Sequence, residues 1–158
     1  MEIASFCKDD ILQFEEQIRY LLKYSLEVSF SEEHFPHFKI NKYFEQLLQY
    51  IEENAYLFVA NQDDTINGLI WFYIREINSK KFAHVNFFVV SEEKQGKGIG
   101  RTLFSEMEKL LLSKNIHEIN LQVSANNKNA INFYKQNRFI KDKIVMKKFL
   151  RSSWKLKK

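Results

Sequence analysis

Apolar residues at Ile11, Phe14, Ile18, Leu21 and Leu22 recur at steps of three and four, which predicts an amphipathic helix capped by Asp9 or Asp10. A short strand, Ile3 to Phe6, precedes it. From Ser25 to Ile40 the residues Phe30, His34, Phe35, Pro36 and His37 follow no period and read as a loop, after which Phe44, Leu47, Leu48 and Ile51 resume helical spacing. Tyr56 to Ala60, Gly68 to Ile77 and Lys81 to Val90 are rich in β-branched and aromatic residues and joined by tight turns, so three antiparallel strands are expected. Ile99, Leu103, Met107, Leu110 and Leu111 predict a third helix, and Ile119, Leu121 and Val123 alternate with polar residues as a fifth strand. A fourth helix is expected from about Asn127 to Asn137, then two short strands around Phe139 and from Ile144 to Leu150. No repeat or linker divides this order, so residues 1–158 read as one domain.

Composition narrows the class. A chain of 158 residues with 45% hydrophobic residues, four Gly and one Pro can bury a full core and carries no disordered tract. No apolar run is long enough to span a membrane, and the first ten residues lack the basic and apolar segments of a secretory signal, so a cytoplasmic location is expected. Cys7, the lone cysteine, has no disulfide partner and no metal-ligand spacing; it reads as a small buried or half-buried thiol, and no metal site is expected. The net charge of +4 sits largely at Lys147, Lys148, Arg151, Lys155, Lys157 and Lys158, a basic tail rather than a nucleic-acid surface.

Chemistry concentrates between Val89 and Arg101, where an apolar strand runs into a helix start through Gln95-Gly96-Lys97-Gly98-Ile99-Gly100. Unpaired amides and the helix dipole at such a junction bind phosphate, and glycines let the backbone approach the anion. The spacing fits neither a dinucleotide G-x-G-x-x-G turn nor a P-loop closed by G-K-[ST]. A tight strand-to-helix connection is the plainer alternative. Lys94, Lys97 and Arg101 supply local positive charge for a polyphosphate.

With Gln95, Gly98 and Gly100 in register, the loop resembles the R/Q-x-x-G-x-G/A signature of the GCN5-related N-acetyltransferase superfamily. Asn127, Ala130, Phe133, Tyr134 and Phe139 resemble that family's second motif, N-x-x-A-x-x-F-Y-x-x-x-G-F, and Ile144 to Lys148 is similar to its last strand. The likeness covers roughly Tyr56 to Leu150. It implies an α/β (α+β) fold with a mixed, mostly antiparallel central sheet of about six to seven strands flanked by four helices. Two positions depart from the pattern. Arg138 replaces the glycine before Phe139, so Asn137 is expected to supply the left-handed cap; Glu92 stands where a proline is common.

The resemblance further implies that acetyl-coenzyme A is the cosubstrate, its pyrophosphate cradled by Gln95, Gly96, Lys97, Gly98, Ile99, Gly100 and Arg101. The strand residues Phe88, Val89 and Val90 would lie along it: the Phe88 amide as oxyanion donor, and Val90 paired with the pantetheine arm. Asn127 caps the fourth helix and is also expected at the cofactor. Tyr134 occupies the family's general-acid position, a core aromatic being the alternative. His84, eleven residues before Gln95, stands where family members carry a base; a histidine packed on the sheet is the other reading. The expected acceptor is a primary amine of a small molecule, attacked directly in a ternary complex. A protein or peptide acceptor, or a silent acetyl-coenzyme A sensor, is the alternative. Glu27, Glu32, Glu33, His34, Phe35 and His37 lie in the segment expected to select it, and the family adds the expectation of a homodimer.

Overall fold

The structure is a computed structural model that describes residues 1–29, 37–148 and 150. Its elements, in chain order, are β1 (Glu2–Ser5), α1 (Lys8–Gln13), α2 (Glu15–Ser29), α3 (His37–Tyr50), β2 (Ala55–Gln62), β3 (Thr65–Ile77), β4 (Lys80–Val90), a short 3-10 turn (Glu92–Lys94), α4 (Ile99–Ser113), β5 (Ile119–Leu121) and α5 (Lys128–Gln136). The sheet runs β1-β2-β3-β4-β5, antiparallel through β4 and parallel between β4 and β5.

The two faces of the sheet build two apolar layers. Leu57, Val59, Leu69, Trp71 and Phe87 pack against Ile11, Ile18, Leu22, Phe44 and Leu47 of α1 to α3. Ile70, Phe72, Ala83 and Val85 pack on Leu103, Phe104 and Met107 of α4 on the other side, with Phe133 and Tyr134 of α5 at its margin. The alternation of β3 thus splits into two hydrophobic sets because both faces are covered, which is why Ile66 to Tyr73 is buried at every position.

Several expectations need correction. The first helix is two, α1 and α2, broken at Phe14, whose backbone (φ −104°, ψ 22°) leaves the helical well while hydrogen bonds still run through the break from Phe14 to Asp10 and from Ile18 to Phe14. Phe14 packs on Phe6, 5.3 Å between ring centroids, so its place in the apolar stripe survives. Asp10 closes the helix start from within the first turn: its carboxylate accepts the Cys7 amide at 2.9 Å, and this contact with Cys7 lowers its pKa. Cys7 is exposed, since it sits at that cap rather than in the core.

The aperiodic segment is shorter than the sequence suggests. Ser25 to Ser29 extends α2 and His37 to Ile40 opens α3; Phe30 to Pro36 lie outside the described residues, as do Arg151 to Lys158 of the basic tail. Arg19 ties these helices together, bonded to Glu15 and Asn41 at 2.7 Å each and lying 4.1 Å over the Phe44 ring.

The sheet has five strands among the described residues, with five helices around it, not six to seven strands and four helices. Residues 140–148 are exposed and form no strand, and Phe139 packs instead on Phe104 and Tyr134 through ring contacts at 5.8 and 5.5 Å. Asn137 keeps a negative φ of −95°, while Arg138 adopts the left-handed φ of +66°. The amide of Arg138 reaches Lys135 O and that of Phe139 reaches Tyr134 O, both at 3.0 Å. That pair of bonds requires a left-handed residue one position beyond the helix cap, whichever side chain stands there.

Candidate active site

β4 outruns its neighbour. β5 pairs with it only at Ala83, His84 and Val85, so from Asn86 to Val90 this edge of β4 meets no strand among the described residues. The register against β3 slips between Trp71 and Phe72, leaving Asn86 as an extra residue on β4. Beyond the bulge, Ser91 donates to Asn67 O on the β3 side at 2.9 Å. Strand alternation then turns the backbone groups of Phe88 and Val90 to the open edge and those of Val89 toward β3. Val89 otherwise serves the buried layer on α1 to α3.

At the end of this edge the chain turns into α4. Gly96 and Gly98 hold left-handed φ values of +73° and +82°, and a Cβ at either would meet no atom within 4 Å. The turn therefore needs glycine for its backbone path, and the space before it is open. Gly100 differs: a Cβ there would come within 2.8 Å of Phe88 Cζ and 3.2 Å of Phe133 Cε2. Its smallness seats the first turn of α4 against the aromatic layer.

The first helical bond of α4 joins the Thr102 amide to Gly98 O at 3.0 Å. The amides of Ile99, Gly100 and Arg101 precede that ladder and are the orphan donors of a helix start. Lys97 and Arg101 are exposed beside them, whereas the Ile99 side chain is buried. Gln95 braces the turn, its Nε2 donating to Val90 O at 3.1 Å and to the Tyr24 hydroxyl at 3.3 Å. Open left-handed glycines, a row of free amides, two cations and an unpaired strand edge fit a ligand with a pyrophosphate and an amide-bearing arm.

α5 flanks the edge. Asn127 caps it, its Oδ1 accepting the Ala130 amide at 3.1 Å. Phe133 stacks on Phe88 at 5.1 Å, and Tyr134 lies in a ring cluster with Phe88, Phe104 and Phe139. Burial in that cluster pushes the Tyr134 phenol up to about 12, so it stays a neutral O–H donor at ordinary pH.

His84 sits half-buried at the last paired stretch before β5 ends, opposite Tyr73 on β3 and Asn120 on β5. Its Nδ1 is 2.6 Å from Asn120 Oδ1. With the amide oxygen toward the ring, Nδ1 carries the proton and Nε2 keeps its lone pair. Asn120 is the neighbour of this candidate residue that the sequence reading missed; its only trace there is an alternating polar position on a short strand. Among the described residues no cluster of His, Cys, Asp and Glu could hold a metal ion, and no helix is long and apolar enough to cross a membrane.

Residues 18–139 match the acetyltransferase (GNAT) family. The chain belongs to that family. It is accordingly an acetyltransferase, of a family whose acetyl donor is acetyl-coenzyme A. Comparison with curated proteins finds no match. Among solved structures it is similar to an aminoglycoside acetyltransferase, meta-AAC0020, from an uncultured soil metagenomic sample (22% identity, TM-score 0.71, 96% of each chain covered). It is also similar to a ribosomal-protein-alanine N-acetyltransferase from Brucella melitensis biovar Abortus 2308 (18%, TM-score 0.71, 95% of this chain and 100% of that one). AAC(6')-Iy in complex with the bisubstrate analog CoA-S-monomethyl-acetylneamine is similar as well (17%, TM-score 0.71, 96% and 98%). At these identities the likeness is one of fold: a mixed α/β GNAT fold built on five strands and five helices.

Proposed function

We propose that the protein transfers the acetyl group of acetyl-coenzyme A to a primary amine of a small molecule, by direct attack while both substrates are bound. The observation that carries this reading is the open edge of β4, which ends in the glycine turn and lies between His84 on one side and Tyr134 on the other. The amides from Gly96 to Arg101, with the side chains of Lys97 and Arg101, hold the pyrophosphate. Val90 pairs with the pantetheine arm as a strand would.

Each chemical requirement then has a residue. The Phe88 amide, facing the open edge, stabilises the negative charge that develops on the thioester oxygen. His84 accepts the amine's proton at Nε2, through water, with Asn120 fixing its tautomer. Tyr134 donates its hydroxyl to the departing sulfur. Because its phenol lies up at about 12, above the thiol range, it acts as a hydrogen-bond donor that stabilises the departing thiolate, which takes its proton from solvent. A C–N bond forms as the C–S bond breaks, and the products are the acetylated amine and the free thiol.

Calorimetric titration with acetyl-coenzyme A tests the donor site, with wild type beside Gly98→Asp. The new carboxylate would stand in the open space before the amides and repel phosphate. Binding lost in the variant is expected. No binding to folded wild type would overturn the reading.

A further inference from the structure

On the sheet face that carries α1 to α3, a cavity of ≈ 330 Å³ lies between Gln46 and Tyr50 of α3, Asn54, Tyr73 and Arg75 of β3, and Asn86 of β4. It adjoins the candidate base. Tyr73 is the direct cross-strand partner of His84, and Asn86 is the extra residue of the bulge two positions after His84.

The lining is chemically one-sided. Arg75 is the only charged residue among the six; three others are amides and two are phenols. The rings of Tyr50 and Tyr73 meet edge to face at 6.0 Å, and the Arg75 guanidinium stands 5.6 Å from the Tyr73 centroid. Among the described residues no carboxylate lies within 4.0 Å of Arg75. A polycationic acceptor finds no carboxylate in this lining, whereas an anionic group finds a planar donor able to bind it in two bonds. Tyr73 and Arg75 are two residues apart on one strand, so their side chains leave the same face roughly 7 Å apart. Arg75 thus stands one step along this face from Tyr73, the cross-strand partner of His84.

We propose that this cavity is the acceptor subsite and takes a small amine that also carries a carboxylate, with Arg75 as the residue that selects it. Gln46, Asn54 and Asn86 supply amide hydrogen bonds, and the two phenol rings cover the carbon stem. The amine nitrogen forms the new C–N bond, its proton leaves toward His84, and the carboxylate stays bound and unchanged. The proposal rests on the acetyl-transfer reading, so its test separates binding from turnover.

Thiol release is measured with lysine against cadaverine and with β-alanine against ethylamine, pairs that differ by the carboxylate alone. Wild type is expected to favour the carboxylated member by at least about tenfold in kcat/KM, the size of one charge-assisted hydrogen bond. Arg75→Gln is expected to collapse that ratio, and Arg75→Lys to restore part of it. Equal use of both members, or a ratio indifferent to Arg75, overturns the proposal. In parallel, lysine and β-alanine are each titrated calorimetrically into protein saturated with coenzyme A. Binding that Arg75→Gln abolishes upholds the subsite even where no transfer occurs, in which case the transfer reading alone fails. No binding of lysine or β-alanine to wild type overturns the subsite.

Discussion

His84 Nδ1 lies 2.6 Å from Asn120 Oδ1, across the short stretch where β4 and β5 are hydrogen-bonded as parallel neighbours. That contact holds the imidazole against β5.

Removing it separates a base from a packing residue. Asn120→Ala is expected to lower kcat about tenfold while the affinity for acetyl-coenzyme A holds, because general-base catalysis is worth roughly two to four decades and only its orientation is lost. Asn120→Asp, placing a charge beside the ring, should move the acidic limb of the kcat profile to higher pH. A profile that stays in place, with only stability changed, would mean that His84 merely packs.

Tyr134→Phe should reduce kcat about tenfold or more with little change in acetyl-coenzyme A affinity, since the ring contacts remain. Wild-type activity should show no Tyr134 limb below about pH 10, given a phenol raised to about 12.

The same shift has a consequence for stability. The folded state holds the Tyr134 proton more tightly than the unfolded chain, whose phenol titrates at the ordinary 10.0. Its contribution is complete below about pH 10 and is lost as pH rises toward about 12, at up to about 1.4 kcal/mol per pH unit. Urea melts across that window should fall more steeply for wild type than for Tyr134→Phe. Parallel curves would refute the link.

Arg138→Gly should stabilise the protein by about 1 kcal/mol, because a side chain at φ +66° costs about that much relative to glycine. The thermal midpoint should rise by about 3 °C. A fall would show that the Arg138 side chain contributes more than its backbone strain costs.

Two loop glycines should respond differently. Gly98→Ala meets open space and strains the turn, so acetyl-coenzyme A affinity should drop more than stability. Gly100→Ala drives a methyl into Phe88 and Phe133 and should cost about 1–3 kcal/mol of folding stability. Chemical denaturation and donor titration of both variants read out the contrast.

The sequence by itself determined what is local. The three antiparallel strands, the helix after the glycine turn and the Asn127 cap follow from periodicity and spacing over a few residues, and each stands where expected. Local pattern failed where two solutions were equally consistent with it: the stripe from Ile11 to Leu22 reads as one helix whether or not Phe14 kinks it, and the apolar run Ile144-Val145-Met146 reads as a strand although residues 140–148 form none. Only the tertiary structure decided how far β5 accompanies β4, that Asn120 meets a histidine 36 positions earlier, that Gly100 serves packing while Gly96 and Gly98 serve the turn, and that Arg75 lines a cavity with Tyr73, the cross-strand partner of His84. Those outcomes depend on which segments come together through the shared burial of two sheet faces, a balance summed over the whole chain that no window of sequence contains.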